Sequence, residues 1–479
     1  MENKSLKRNK ISYYLLSFNS GLISLSELAM NYHMKDVLQI EPSILSKINA
    51  FMKIPYVIKP IFGLITDLLP IYGYHRKIYI LICALIYLIL WLILILKITN
   101  FYPLIICIFI IHSSVSFTTV IGQVICIDES AKDKKSHGVM QLYFIVKNIG
   151  MLIASYLKGY LIQYYSIQSV YYVCAFNSIF MFLSWILYYE KIIQVEENSE
   201  KYDEYKYLKA DVSKEEKKDK SIFKQLFEYF FEIKILIPLF FIIIVVASPV
   251  YNEPIFYYYS NILKLTPYEF GIGHIFGVIS NVLILILYKN YLSKYSFKIL
   301  IIIFKILLFL SLELNYILVN QLNKDYISNF YFYLIISSTT IPLTIISSIP
   351  GIDLAAKLTP KHLEGTIYAI YIGFINSGTI FGIYSGSLLQ KIFGITRNNY
   401  TNLNHLIIFS NLCHLFPVFL IIFVPSKLFS YKRILQKQRG IEMREIGKNE
   451  VKEIENEIEG ISDDEMEERI RMKRTISQL

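Results

Sequence analysis

Apolar runs of about twenty residues, each closed by a short polar stretch, recur along the chain. They fall near 12–33, 43–69, 76–97, 102–128, 137–165 and 168–189, then near 235–258, 267–290, 297–319, 328–354, 363–390 and 403–425. A helix of that length rises about 30 Å, the thickness of a bilayer's hydrocarbon core. Between the two groups of six, residues 191–233 carry charges of both signs with neither glycine nor proline. The pattern predicts an all-α membrane protein in five parts. These are a short cytosolic N-terminus (1–11), a six-helix bundle (12–190), a charged linker (191–233), a second six-helix bundle (234–425) and a charged tail (426–479), read as a solvated helix or a disordered segment.

Composition agrees. Hydrophobic residues make up 54% of the 479 positions and charged residues 18%, against roughly 25% charged in a soluble domain. A soluble chain of this length has too little interior for so much apolar surface. The net charge of +10 does not mark a nucleic-acid binder, because the lysines gather between apolar runs and at both ends. Loops after even runs hold Arg76 and Lys77, then Lys132, Lys134 and Lys135, then Lys289, Lys294 and Lys298, then Lys357 and Lys361; loops after odd runs hold mostly single lysines. The even loops, both termini and the linker are therefore expected to be cytosolic. The lysines before the first run, and that run's length, read as an uncleaved first span, and the short N-terminus favours the plasma membrane over an organelle. The five cysteines lie inside apolar runs without metal spacing, and no phosphate-binding loop or nucleophile constellation occurs, so no metal, cofactor or enzymatic activity is expected.

The chain also repeats itself. Ile127-Asp128-x-x-Ala131-Lys132 closes the fourth run, and Ile352-Asp353-x-x-Ala356-Lys357 closes the tenth. A tyrosine follows fifteen residues after each aspartate (Tyr143, Tyr368), and an Asn-x-Gly comes later in the next run (Asn148-Gly150, Asn376-Gly378). Two six-helix halves repeated in parallel resemble the major facilitator architecture.

One stretch, "PYVIKPIFGLITDLLPIYGYHRKIY" (Pro55 to Tyr79), is sharper. Lys59, Gly63 and Asp67 are spaced i, i+4, i+8 and share one helix stripe. Gly63 would let a neighbouring helix approach closely. The alternative is an ordinary ion pair at a helix end. The stretch resembles the folate-biopterin transporter family, matching its pattern at Pro55, Lys59, Pro60, Gly63, Asp67, Pro70, Gly73, Tyr74, Arg76 and Tyr79, with Tyr56 where tryptophan is usual and Thr66 where serine is usual. A second block, Ala355 to Leu403, is similar to the family's P-x-x-x-E-G-T, N-x-G and G-I-T stretches and contains Glu364. The resemblance implies twelve helices and a cytosolic gate of Lys59, Gly63, Asp67, Gly73, Arg76, Asp353 and Glu364. Asp128 is divided between gate and proton carriage.

Charges inside a membrane need a partner or a task. Glu27 falls in the first run, Lys53 in the second, Lys147 and Lys158 in the fifth, and Lys305 and Glu313 in the ninth. Glu253 lies between Pro249 and Pro254, where a kink is predicted. By the resemblance, the cavity-lining spans make Glu27, Lys53, Lys147 and Glu253 the site candidates; the alternative for each is a buried pair that fixes helix contacts. Lys305 and Glu313 are read as structural. The lone span histidines His112, His274 and His414 are read as hydrogen-bonded packing residues. The implied activity is uptake of folate or biopterin by alternating access, driven by protons. A folate carries a flat pterin and a glutamate with two carboxylates; Lys53 and Lys147 suit the carboxylates, and Tyr56, Tyr257 and Tyr371 suit the ring. Glu27 is the first choice for proton coupling, being a carboxylate in an apolar setting. The alternatives are another small organic solute, such as a p-aminobenzoate-like precursor or S-adenosylmethionine, and a non-transporting receptor. A monomer in the bilayer is expected.

Overall fold

The computed structural model describes residues 2–96, 100–132, 139–190, 233–292, 294–350 and 364–423, with side chains at fewer positions near the breaks. Most of the expected linker, the expected tail and Asp353 lie outside the described residues. The described chain is helical, apart from one isolated bridge between Ile71 and Tyr74. Nine α-helices come before the linker: α1 (Glu2–Leu22), α2 (Ser24–Tyr32), α3 (Pro42–Phe51), α4 (Ile54–Val57), α5 (Lys59–Leu68), α6 (Lys77–Ile95), α7 (Phe101–Lys132), α8 (Val139–Tyr164) and α9 (Ile167–Leu187). After it come α10 (Ile233–Val246), α11 (Asn252–Asn261), α12 (Pro267–Leu287), α13 (Phe297–Val319), α14 (Asn329–Ile346), α15 (Glu364–Ile392), α16 (Leu403–Cys413) and α17 (Phe416–Phe423).

Among the described residues, ten segments are long and apolar enough to cross a membrane. The other two expected spans are present in pieces. The first turns at Ile23 between α1 and α2, and the charged start of α1 dilutes its apolar character. The seventh is split into α10 and α11, of 14 and 10 residues, too short to cross singly.

Prolines interrupt several spans, and at three of them a side chain from another span serves the freed carbonyl. Proline has no N–H, so the carbonyl four residues before it loses its helical partner. Within a bilayer that carbonyl must find another donor. Pro249 ends α10 and frees the carbonyl of Val245, which accepts from Lys305 Nζ on α13. Pro60 stands at the start of α5 and frees the carbonyl of Tyr56, which accepts from Asn376 Nδ2 on α15 at 2.9 Å. Pro417 frees the carbonyl of Cys413, which lies 3.4 Å from Ser248 Oγ. Lys305 is 1% exposed, so the structural role expected of it takes this specific form.

Glycines set how closely the broken spans pack. Gly378, Gly382 and Gly386 form a stripe on α15, and the seventh span crosses it where it is broken. The Val250 N–H donates to the Gly382 carbonyl at 3.1 Å. Between the two halves, α8 lies along α12 and α15 lies along α3, α4 and α5. At the first of these contacts a Cβ on Gly271 would sit 2.7 Å from the Ser155 carbonyl and 3.0 Å from Gly159 Cα, so the two backbones touch.

A valine at Gly271 should therefore force α8 and α12 apart. Larger residues generally favour a helix over glycine by up to about 1 kcal/mol, while overpacking costs about 1–3 kcal/mol. Gly271→Val is expected to lower the thermal unfolding midpoint of the purified protein in detergent. An unchanged or raised midpoint would show that the contact is not tight.

Candidate functional site

The hydrogen bonds that join the two halves gather from mid-bundle towards the end holding Glu253. Glu253 is 7% exposed. Its carboxylate accepts from Ser46 Oγ and from Asn49 Nδ2, both at 2.8 Å, and Gln390 Nε2 donates to Ser46 Oγ at 2.9 Å. Further along, Ser387 Oγ donates to the Ser43 carbonyl at 2.7 Å, and the Tyr257 hydroxyl to the Ile40 carbonyl at 2.7 Å. Arg397 donates its backbone N–H to Glu41 and its Nη1 to the Gln39 carbonyl, at 2.9 and 2.8 Å. Lys35 Nζ donates to Asn261 Oδ1 at 3.0 Å. The second half thus grips residues 35–49 of the first, and this end of the bundle is closed.

Glu253 and Tyr257, expected among the substrate-binding residues, are both enclosed here in the seal between the halves; for Glu253 this is the geometry of the alternative reading, a buried group that fixes helix contacts. Carboxylate and phenol are satisfied there by groups on α3 and on the loop before it. Tyr371 is also buried, at 1% exposure. A cavity of about 510 Å³, walled in part by Tyr32, His33, Asp36 and Tyr171, lies at the C-terminal ends of α2 and α8 and touches none of the central lysines.

The remaining charged candidates meet in the middle. Tyr56 lies on α4, between the two breaks that Pro55 and Pro60 impose on the second span. Its hydroxyl is 3.3 Å from His112 Nδ1, and Lys59 Nζ sits over its ring, 5.4 Å from the centroid. Lys53, exposed at the turn before α4, acts electrostatically on His112 and on Lys147. Lys147 also feels Glu27 and acts on Lys59. Glu27 reaches Tyr56 and Lys158 as well. Its exposed side chain on α2 therefore faces the interior, where Lys147 and Lys158 lie within its electrostatic reach. His274, read as a hydrogen-bonded packing residue, finds its partner across the α8–α12 contact, where its Nδ1 lies 2.5 Å from Ser155 Oγ.

At the opposite end, Asp67 and Asp128 converge on Arg76. Asp67 Oδ1 lies 3.5 Å from one guanidinium nitrogen, and Asp128 Oδ2 pairs with the other. Burial disfavours the charged guanidinium, but Asp128 and Asp67 outweigh it and raise the Arg76 pKa. The loop that delivers Arg76 is a tight turn. Tyr72 and Gly73 have φ of 51° and 77°, and Ile71 and Tyr74 exchange backbone hydrogen bonds around them, as in a type I′ turn. Sequence reasoning missed the residue that fixes this loop. Glu190 accepts from the backbone N–H groups of His75, Arg76 and Lys77, at 3.1, 3.2 and 2.9 Å, which caps the start of α6. A single acid after the sixth apolar run is the only signal the sequence carries.

Lys59, Gly63 and Asp67 do share α5, but a Cβ on Gly63 would lie 3.8 Å from Val120. That is ordinary contact, so the close approach expected of Gly63 is absent here. Asp128 is held by Arg76 and is not brought into the lysine group. Glu364 opens α15, with its side chain outside the described residues. Among the described residues, no group of three His, Cys, Asp or Glu is placed to hold a metal ion.

The same arrangement of helices occurs in known transporters. The chain superposes on the nucleoside transporter NupG with a TM-score of 0.63 at 15% identity, covering 88% of this chain and 99% of that one. On a D-xylose-proton symporter the TM-score is 0.62 at 13% identity, covering 89% and 99%. The fold is that of the major facilitator transporters. By sequence it is 28% identical over 445 residues to folate transporter 1 of Plasmodium falciparum (isolate 3D7), covering 91% of this chain and 83% of that one. It is 24% identical over 429 residues to the folate-biopterin transporter of Synechocystis sp. (strain ATCC 27184 / PCC 6803 / Kazusa), covering 87% and 83%. Residues 20–439 match the family model of BT1. This multi-pass membrane protein, with its ten described apolar spans and its match over most of the chain, belongs to the BT1 family.

Proposed function

We propose that this protein is a secondary transporter that moves folate or a related pterin across a membrane by alternating access, coupled to protons. The observation that carries the reading is the central group: Lys53, Lys59 and Lys147 with Glu27 as an acidic neighbour, beside the Tyr56 ring and His112. An excess of ammonium groups deep in a membrane protein is costly unless an anion shares the site. A cargo with two carboxylates and a flat ring supplies that anion and a face for Tyr56. The relatives' printed names, folate transporter and folate-biopterin transporter, agree with it. Lys53 and Lys147 are assigned to the carboxylates, Tyr56 to the ring and Glu27 to the proton.

The second part of the proposal concerns the two ends. The Glu253 end is the outer one, and its seal with Tyr257 is the outer gate. Asp67, Gly73, Arg76 and Asp128, held by Glu190, form the first half's share of the cytosolic gate; Asp353 and Glu364 are assigned to the second half's share. Lys59 lies between gate and centre. Lys-rich loops at the Arg76 end support this orientation.

The deciding experiment is uptake of labelled folate, biopterin and p-aminobenzoate in a folate-transport-deficient host at two external pH values. Concentrative uptake of folate or biopterin, faster at the lower pH, is expected. Binding without accumulation would make the protein a receptor, and accumulation of p-aminobenzoate alone would change the cargo. Glu27→Gln should abolish the pH dependence while folate exchange across the membrane survives; a pH profile unchanged from the parent would remove Glu27 from the proton path. Arg76→Gln should slow uptake roughly tenfold, about 1.4 kcal/mol, with normal amounts of protein in the membrane. Full-rate uptake by that variant would dismiss the gate.

A further inference from the structure

Lys158 has no task in the scheme above. Its side chain is 4% exposed. It lies on α8 one turn beyond Ser155, the partner of His274, and next to Gly159, whose backbone touches Gly271 of α12. Glu27 of α2 and His274 of α12 are the charged or titratable groups of neighbouring helices within its electrostatic reach. Among the described residues, no ion pair or hydrogen bond holds its ammonium group. A buried lysine with no such partner, at the seam where the two halves meet, asks for an anion.

Its position says which anion. Lys147, Ser155 and Lys158 are spaced i, i+8, i+11, so they share one stripe of α8. The two lysines stand about 16 Å apart by the 1.5 Å rise per residue. Lys147 belongs to the central group, while Lys158 lies towards the closed Glu253 end. In the alternating cycle proposed above, opening that end would part α8 from α12 and wet Lys158, and closing it would return the ammonium group to the seam.

We propose that Lys158 is a carboxylate-binding residue of the transport path, the outer step of a two-lysine ladder that passes the anionic tail of the cargo inward to Lys147. This rests on the reading that the cargo is a carboxylated pterin. The seam closes over Lys158 more readily when a carboxylate neutralises it than when the site is empty. Closure therefore selects a folate over a pterin that lacks carboxylates.

The test compares folate with biopterin, which has no carboxylate, in cells making the full-length chain or its Lys158→Gln and Lys158→Arg variants, with surface protein measured in parallel. Lys158→Gln is expected to raise the KM for folate tenfold or more and leave that for biopterin within twofold; Lys158→Arg keeps the preference for folate. Equal damage to both cargoes, or to neither, overturns the proposal. On the unaltered chain, folate and not biopterin is expected to shield Lys158 from acetylation, read by mass spectrometry. Equal shielding overturns it also, and this arm stands even where the glutamine variant fails to reach the membrane. An unaltered chain that carries neither cargo overturns the cargo reading itself and this inference with it, a result distinct from normal uptake with an indifferent Lys158.

Discussion

A carbonyl that has lost its helical N–H partner inside a bilayer must be given another donor. Much of this bundle follows from that constraint. Pro60, Pro249 and Pro417 each remove one N–H from an otherwise continuous span. Asn376, Lys305 and Ser248 each return a donor from a different span. The breaks are thus also cross-links. The Tyr56 carbonyl ties the second span to α15 across the two halves, and the Val245 carbonyl ties the seventh span to α13. A lysine in a supporting helix, which looks functional from its charge alone, is explained by a missing proline N–H.

The same breaks position the chemistry. With Pro55 and Pro60 setting off the single turn of α4, the Tyr56 hydroxyl meets His112, and Lys59 at the start of α5 lies over the Tyr56 ring. The break at Pro249 lets Glu253 start a new helix, where its carboxylate meets Ser46 and Asn49 from the other half. Glycines complete the arrangement, since Gly159 against Gly271 and the α15 stripe against Val250 let backbones touch where side chains would hold helices apart. Polar contact at one end and backbone contact along α8 and α12 together close the bundle on the Glu253 side. At the other end, Glu190, the Tyr72-Gly73 turn and the Arg76 pairs stay within the first half among the described residues. That asymmetry suits one conformation of the alternating access proposed above.

Periodicity alone made most of the fold legible, because the length of an apolar run and the cost of exposing backbone in lipid leave few alternatives to membrane-spanning helices. The stripe holding Lys59, Gly63 and Asp67 was legible for the same reason, since helical spacing is local; the second copy of the repeat, around Asp353, lies outside the described residues. The site was less so. Glu253 and Tyr257 carried the right chemistry in a suitable span, yet they lie in the seal. Gly63 fits a motif of close approach, yet it meets Val120 at ordinary distance. Glu190 gave almost no signal, because its partners are backbone N–H groups more than a hundred residues earlier.

By itself, then, the sequence determined where helices run, which ends carry the basic loops and which residues are too polar to sit in lipid without a reason. These are properties of single segments and their solvent. Only the tertiary structure decided what those reasons were. It put Lys305 on a proline-freed carbonyl, Glu253 among Ser46 and Asn49, and Lys158 at the seam between α8 and α12, in no ion pair among the described residues. Pairing between distant spans depends on how the helices pack, and packing is fixed by the whole set of glycine contacts, proline breaks and buried hydrogen bonds acting together rather than by any one stretch of chain.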